Sequence, residues 1–161
     1  MLPTISQYIF SAGYFTRKAC TFCYYSEDYF LPAAVTVDCV PGALLMVSCQ
    51  AFRNVGGYDP NIFLYGEETT LGIKIKSMGY QTILLTKATY HHMHSASINK
   101  SIKKQKTRLK YLLKSRIYIL KNYLNASSIE LLFAKSFYSF VLFEYGIYIF
   151  IQSLFTPPKR S

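Results

Sequence analysis

VGGYDPNIFLYGEETTL, residues Val55 to Leu71, places two adjacent carboxylates, Glu67 and Glu68, at the opening of a helix-like segment. A glycine and aromatic approach leads into them, first Gly56-Gly57-Tyr58-Asp59 and then Ile62-Phe63-Leu64-Tyr65. Asp and Glu together number only eight in a chain of net charge +10, so an adjacent pair of them marks a candidate site. Acids in a first turn also complement the positive end of the helix dipole. The helix they open carries Leu71, Ile73, Ile75 and Met78 and stops at Gly79. Working back, Ser48 to Asn54 reads as a short helix stopped by Gly56-Gly57, and Tyr58-Asp59-Pro60 as a turn. Val35 to Val40 is a β-branched strand, interrupted at Pro41-Gly42 and continued by apolar Ala43 to Val47 as a buried strand. Gln81 to Ala88 reads as a further strand. Residues 1–34, with a Leu31-Pro32 break, read as loop or short strands.

The 161 residues suit one domain. Their charge is uneven, for no acid falls between Thr69 and Ile129. Lys100, Lys103, Lys104, Lys106, Arg108, Lys110, Lys114, Arg116 and Lys121 crowd one stretch. Ile102, Leu109, Leu112, Leu113, Ile117 and Leu120 recur among them at helical spacing, which predicts a basic amphipathic helix over residues 99–125. Such a block attracts polyanions, either nucleic acid or an anionic membrane face. A nearly continuous apolar and aromatic run from Leu131 to Phe155 follows, which favours the membrane. That run is long enough to span a bilayer, or to re-enter it, although Glu144 near its centre is costly there. A core helix packed on another domain is the second reading. No nucleic-acid motif is present. Cys20 and Cys23 form a C-x-x-C without a second such pair, since Cys39 and Cys49 do not supply one, so the cysteines read as reduced thiols. The opening residues lack the basic start and apolar core of a signal peptide.

The ordered series of motifs resembles the acceptor half of family 2 glycosyltransferases, especially their rhamnosyltransferase-like members. The series runs from Ser11-Ala12-Gly13-Tyr14-Phe15 through Gly42-Ala43 to Phe52-Arg53-Asn54-Val55-Gly56-Gly57-Tyr58-Asp59. Phe63-Leu64-Tyr65, Glu67-Glu68-Thr69-Thr70-Leu71, Gly79-Tyr80 and His92-Met93-His94-Ser95-Ala96-Ser97 complete it. Lys114-Ser115-Arg116 and Lys121-Asn122-Tyr123 resemble the region that follows the histidine loop in these enzymes. The likeness covers about residues 5–120 and departs from the family pattern in three places. Glu68 stands where the family has Asp, Thr70 replaces a second Asp, and Ser48 lies near a basic position.

The resemblance implies an α/β chain that is part of a glycosyltransferase A-type fold, without the N-terminal nucleotide-binding half. It divides the chain into that partial domain at 1–98, the basic helix at 99–125 and an apolar membrane-associated helix at 129–156. It implies transfer of a sugar from a nucleotide-diphosphate donor to a surface-glycan or lipid-linked acceptor at the cytoplasmic face of a membrane. Glu68 would be the base, Glu67 its neighbour, and Gly42, Ala43 and Tyr65 would line the sugar site. His92 would contact a divalent metal, Mn²⁺ or Mg²⁺, or the diphosphate it neutralises. The nucleotide-binding half would come from a partner chain. A catalytically inactive scaffold or remnant is the alternative.

Overall fold

The computed structural model describes residues 2–13, 16–19, 25–91 and 105–155. Helix α1 (Ile5–Phe10), helix α2 (Thr16–Ala19) and a 3₁₀ turn (Glu27–Phe30) precede strand β1 (Ala34–Val37). Helices α3 (Cys49–Asn54) and α4 (Glu67–Ser77) lead to strand β2 (Thr82–Leu85). Two long helices, α5 (Gln105–Asn122) and α6 (Ser128–Phe155), complete the described chain. Strands β1 and β2 form a two-stranded antiparallel sheet with Ala34 opposite Leu85 and Val37 opposite Thr82.

The start of the chain is helical rather than loop or strand. The Thr4 hydroxyl accepts from the Gln7 amide, and the Gln7 side chain accepts from the Thr4 amide, closing a capping box. Residues 43–47 do not form the expected strand. Their side chains still alternate, with Leu45 and Val47 packed inward while Leu44 and Met46 are exposed. What is missing is a ladder, because among the described residues only β1 and β2 pair, and neither pairs with 43–47.

Other boundaries follow their local signals. Ser48 caps α3 by accepting from the Ala51 amide, and Gly56 and Gly57 end it with positive φ angles. Gly79, at φ 77°, ends α4. Helix α4 runs close beside the end of β1, where a Cβ on Gly72 would lie 2.8 Å from that of Cys39. Lys76 also pairs with Asp38 at 2.7 Å.

Two hydrophobic cores result. The smaller joins Val55, Leu71 and Ile75, with Leu45, Val47 and Phe52 around them. The larger gathers Tyr8, Ile9, Ile62, Leu113, Ile119, Leu120, Ala134 and Tyr138 from α1, α5, α6 and the approach to α4. Helix α5 is amphipathic as its spacing predicts, but Arg116 does not join its solvent face. Its guanidinium donates to the Tyr8 carbonyl and, at 2.6 Å, to Ser11 Oγ, and it lies 4.7 Å from the centre of the Tyr8 ring. Burial pushes the Tyr8 hydroxyl up to about 12.

Helix α6 buries Ala134, Tyr138 and Val141 and turns Leu132, Phe140, Phe143 and Phe150 outward. Among the described residues no helix is long and apolar enough to cross a membrane, so the expected spanning segment is not found there. Lys135 and Glu144 interrupt the run, and one side of it is committed to packing on α5.

Asp59 ties the double-glycine segment to α5. Its carboxylate accepts from Tyr123 at 2.7 Å and Tyr118 at 3.0 Å, and from the Asn61 amide and side chain at 2.9 Å. Partial burial alone would raise its pKa. The hydroxyls of Tyr123 and Tyr118 and the bonds from Asn61 outweigh that and bring it down to about 2 from 3.8. Because the folded value is depressed, the stabilisation is complete above the unfolded pKa and is lost as pH falls through the folded one. An acid titration followed by tyrosine near-UV dichroism is expected to show a stability loss between pH 3.8 and about 2. Asp59→Asn should abolish that component, and an unchanged acid profile in the variant would remove Asp59 from this role.

Candidate active site

The first turn of α4 and the segment after β1 meet at one contact. Gly42 N–H donates to Glu68 Oε1 at 3.1 Å, across 26 positions of sequence. Two positions singled out separately in the sequence, Glu68 and Gly42, are thereby neighbours. A Cβ at Gly42 would overlap the Glu68 carboxylate and stand 2.9 Å from its Cγ, so any side chain there must displace Glu68. Ala43 follows it, exposed, on the same turn.

Glu67 is half-buried, and its carbonyl accepts from Thr70 Oγ1 at 3.0 Å. Thr70 is 0 % exposed. The position where the resembled family carries its second Asp therefore points into the protein, and its hydroxyl is used within the helix turn. Tyr65 and Gly66 enter α4 with φ angles of 68° and 101°. This left-handed pair is rare for tyrosine. It turns the chain so that Gly66 packs against Ile119 while Tyr65 faces a cavity. Ser115 Oγ of α5 donates to the Leu64 carbonyl at 2.8 Å and holds the approach in place.

That cavity, of about 600 Å³, lies beside the α4 entry and between α5 and α6. Arg17, Arg108 and Glu144 reach its wall with Tyr65. Sequence reasoning assigned Arg108 to a membrane-facing block and gave Arg17 no role. Only the approach of three distant segments places them together, so no local pattern could have found the cavity.

His91 is exposed, while His92 and His94 lie outside the described residues, as do Cys20 and Cys23. Among the described residues no group of three His, Cys, Asp or Glu side chains converges to hold a metal. Cys39 and Cys49 are free thiols, and burial pushes Cys39 up.

The geometry separates stability from the placement of Glu68 at position 42. The atoms an alanine Cβ would meet belong to the flexible Glu68 side chain, and the Gly42 φ is not in the left-handed range. Gly42→Ala is therefore expected to change stability by less than about 1 kcal/mol while displacing the carboxylate. Thermal unfolding of the variant beside the parent checks this. A large loss of stability would mean that the segment cannot yield as described.

Similarity to known proteins supports a relationship to glycosyltransferases. The chain is 30 % identical over 73 residues to the N-acetylglucosaminyl-diphospho-decaprenol L-rhamnosyltransferase of Mycobacterium tuberculosis, in each of two strains. The match takes in 44 % of this chain and 24 % of the relative, so it spans about a quarter of the curated proteins' length. No family model matches the chain, and no solved structure does.

Proposed function

We propose that this chain is the acceptor side of an inverting family 2 glycosyltransferase with a partial glycosyltransferase A-type fold. In this reading the donor is a nucleotide-diphosphate sugar, such as a rhamnose donor, and the acceptor is a lipid-linked glycan. The single observation that carries the reading is the Glu68–Gly42 contact. One carboxylate oxygen is held by a backbone amide, which fixes the direction of the other. A fixed carboxylate at the surface of the α4 entry can take the proton of an acceptor hydroxyl as that hydroxyl attacks the anomeric carbon. Small residues at 42 and 43 leave room for the sugar, and Tyr65 borders it. The nucleotide-binding half belongs to the rest of the enzyme or to a partner chain.

A divalent ion commonly neutralises a leaving diphosphate. Among the described residues no group of His, Cys, Asp and Glu fits a metal site, and proton removal in this reading falls to Glu68. A scaffold that keeps this arrangement without turnover is the competing reading, favoured by Thr70, whose inward position leaves one acid fewer at the surface.

The test is transfer of labelled sugar from a panel of nucleotide sugars, with Mn²⁺ or Mg²⁺, to lipid-linked acceptor in membranes expressing the full chain. Transfer that depends on Glu68 supports the enzyme. Absence of transfer from chain shown to be folded, with and without a nucleotide-binding partner supplied, supports the scaffold.

A further inference from the structure

Helix α6 has a second apolar face that its packing on α5 does not use. Ile129, Phe133, Ser136, Phe140, Phe143, Ile147 and Phe150 follow one another at alternate steps of four and three residues. That is the seven-residue repeat of a coiled-coil seam, with Phe133, Phe140 and Ile147 in its first position and the others in its fourth. The seam runs for three heptads and is exposed at every position, Ile129 by 81 %, Phe140 by 57 % and Phe143 by 65 %. The residues that α6 buries, Ala134, Tyr138 and Val141, lie on its other side. The seam holds no Asp, Glu, Lys or Arg. Its one polar side chain, Ser136, donates to the Leu132 carbonyl at 3.1 Å, so the hydroxyl proton does not need water.

Period, area and charge select the occupant. A bilayer accepts any broad apolar face, whereas a strict seven-residue repeat keeps one helix in contact with another along its length. With Leu132 and Ile151 beside it, the exposed part of the seam comes to roughly 800–900 Å² on ordinary side-chain areas. The largest apolar patch of a monomer is usually ~300–600 Å², and each partner in a standard-size interface contributes ~800 Å². The lysines lie elsewhere. Gln105 of α5 bonds to Tyr145 of α6, and Leu109 and Leu112 share a wall with Val141, so this side of α5 faces α6. Lys110, Lys114 and Lys121 are exposed on the opposite side of α5. An anionic surface on the seam would meet few of them. Two copies joined there keep their lysines apart, which a chain of net charge +10 requires. Ser136 sets the direction of pairing. In a parallel pair equivalent positions meet, so Ser136 would face Ser136 of the second copy and leave a gap among large side chains. In an antiparallel pair first positions meet fourth positions, so Ser136 faces Phe133, Phe140 or Ile147 whatever the register.

We propose that the exposed seam of α6 is the interface of a homodimer, in which two copies of this chain pair α6 antiparallel about a two-fold axis. The assignment goes beyond the acceptor-side reading above and does not depend on it.

The experiment is sedimentation equilibrium of the purified full chain, with far-UV dichroism to confirm folding. At roughly 100 µM, above the weakest dissociation constants of interfaces this size, the mass should be twice that of one chain. Phe140→Lys with Phe143→Lys should raise the dissociation constant by about 30-fold or more, the loss expected of buried aromatic anchors. Helix content should not change, because both side chains are exposed in a single copy. Lys114→Glu, on the far side of α5, should leave the dimer as it is. Ser136→Phe should weaken the dimer by about 10-fold or more, since it forces two large side chains into one layer. A dimer tightened by Ser136→Phe would overturn the antiparallel arrangement. A folded parent that sediments as one chain would overturn the proposal, as would a dimer indifferent to the paired lysine substitutions. A monomeric parent that floats with vesicles of phosphatidylcholine and phosphatidylglycerol, and no longer does so with both lysines in place, would assign the seam to a membrane instead.

Discussion

Glu68→Gln is expected to lower sugar transfer by roughly 10²–10⁴-fold, the range over which a positioned general base contributes. Glutamine has nearly the shape of glutamate and keeps an oxygen that can accept from the Gly42 amide, now 3.1 Å from Oε1. What it lacks is basicity. The loss should therefore fall on kcat, with KM for the acceptor little changed, since the hydroxyl is still bound but its proton has no destination. Glu68→Asp separates reach from charge. It keeps the carboxylate and shortens the arm by one methylene, so the Gly42 contact opens and the base withdraws from the acceptor. Partial activity is expected, below the parent and above the glutamine variant. Equal transfer by the parent and Glu68→Gln would remove Glu68 from the chemistry, and the base would have to be sought elsewhere.

The largest stability effect is expected at Arg116. It joins α1 to α5 through the Tyr8 carbonyl, the Ser11 hydroxyl and the face of the Tyr8 ring. Tyr8 is 8 % exposed and belongs to the larger core, and Ser11 is likewise 8 % exposed. Removing the guanidinium leaves Ser11 Oγ without that donor, while the Tyr8 carbonyl still accepts from Ser11 Oγ at 3.1 Å and Tyr138 Oη at 3.3 Å. Hydrogen bonds to a charged group contribute about 1.5–3 kcal/mol, and a desolvated cation over an aromatic ring about 0.5–2. Arg116→Ala is therefore expected to destabilise the chain by about 2–4 kcal/mol, which lowers the unfolding midpoint by roughly 5–15 °C for a chain of this size. Arg116→Lys should recover little, because an ammonium cannot bond two acceptors in a plane and stack on the ring together. Equal unfolding midpoints for Arg116→Ala and the parent would show that the α1–α5 contact is held by apolar packing alone.

Much of this arrangement was legible because its causes are local. Glycine at positions 56, 57 and 79 ends helices by adopting conformations that other residues resist, and sequence displays that directly. Glu67 and Glu68 open α4 because acids and a helix start favour each other within one turn. The short α1 was less visible, since its signal is one reciprocal pair, Thr4 and Gln7, in an aromatic stretch that otherwise reads as irregular. The expected strand at 43–47 illustrates the opposite limit. Its apolar alternation is present, but a strand is a pairing, and among the described residues the sheet holds only β1 and β2.

The sequence by itself determined where α3 and α4 end, the turn between them and the basic bias of the chain, all set by neighbours within a few residues. Only the tertiary structure decided that Glu68 meets Gly42, that Arg116 turns inward among lysines that face water, and that Arg17, Tyr65 and Arg108 border one cavity. Those outcomes depend on segments 26 to more than 100 residues apart coming into contact. A local pattern carries no term for such distances, whereas the packing of α1, α5 and α6 around one core fixes them.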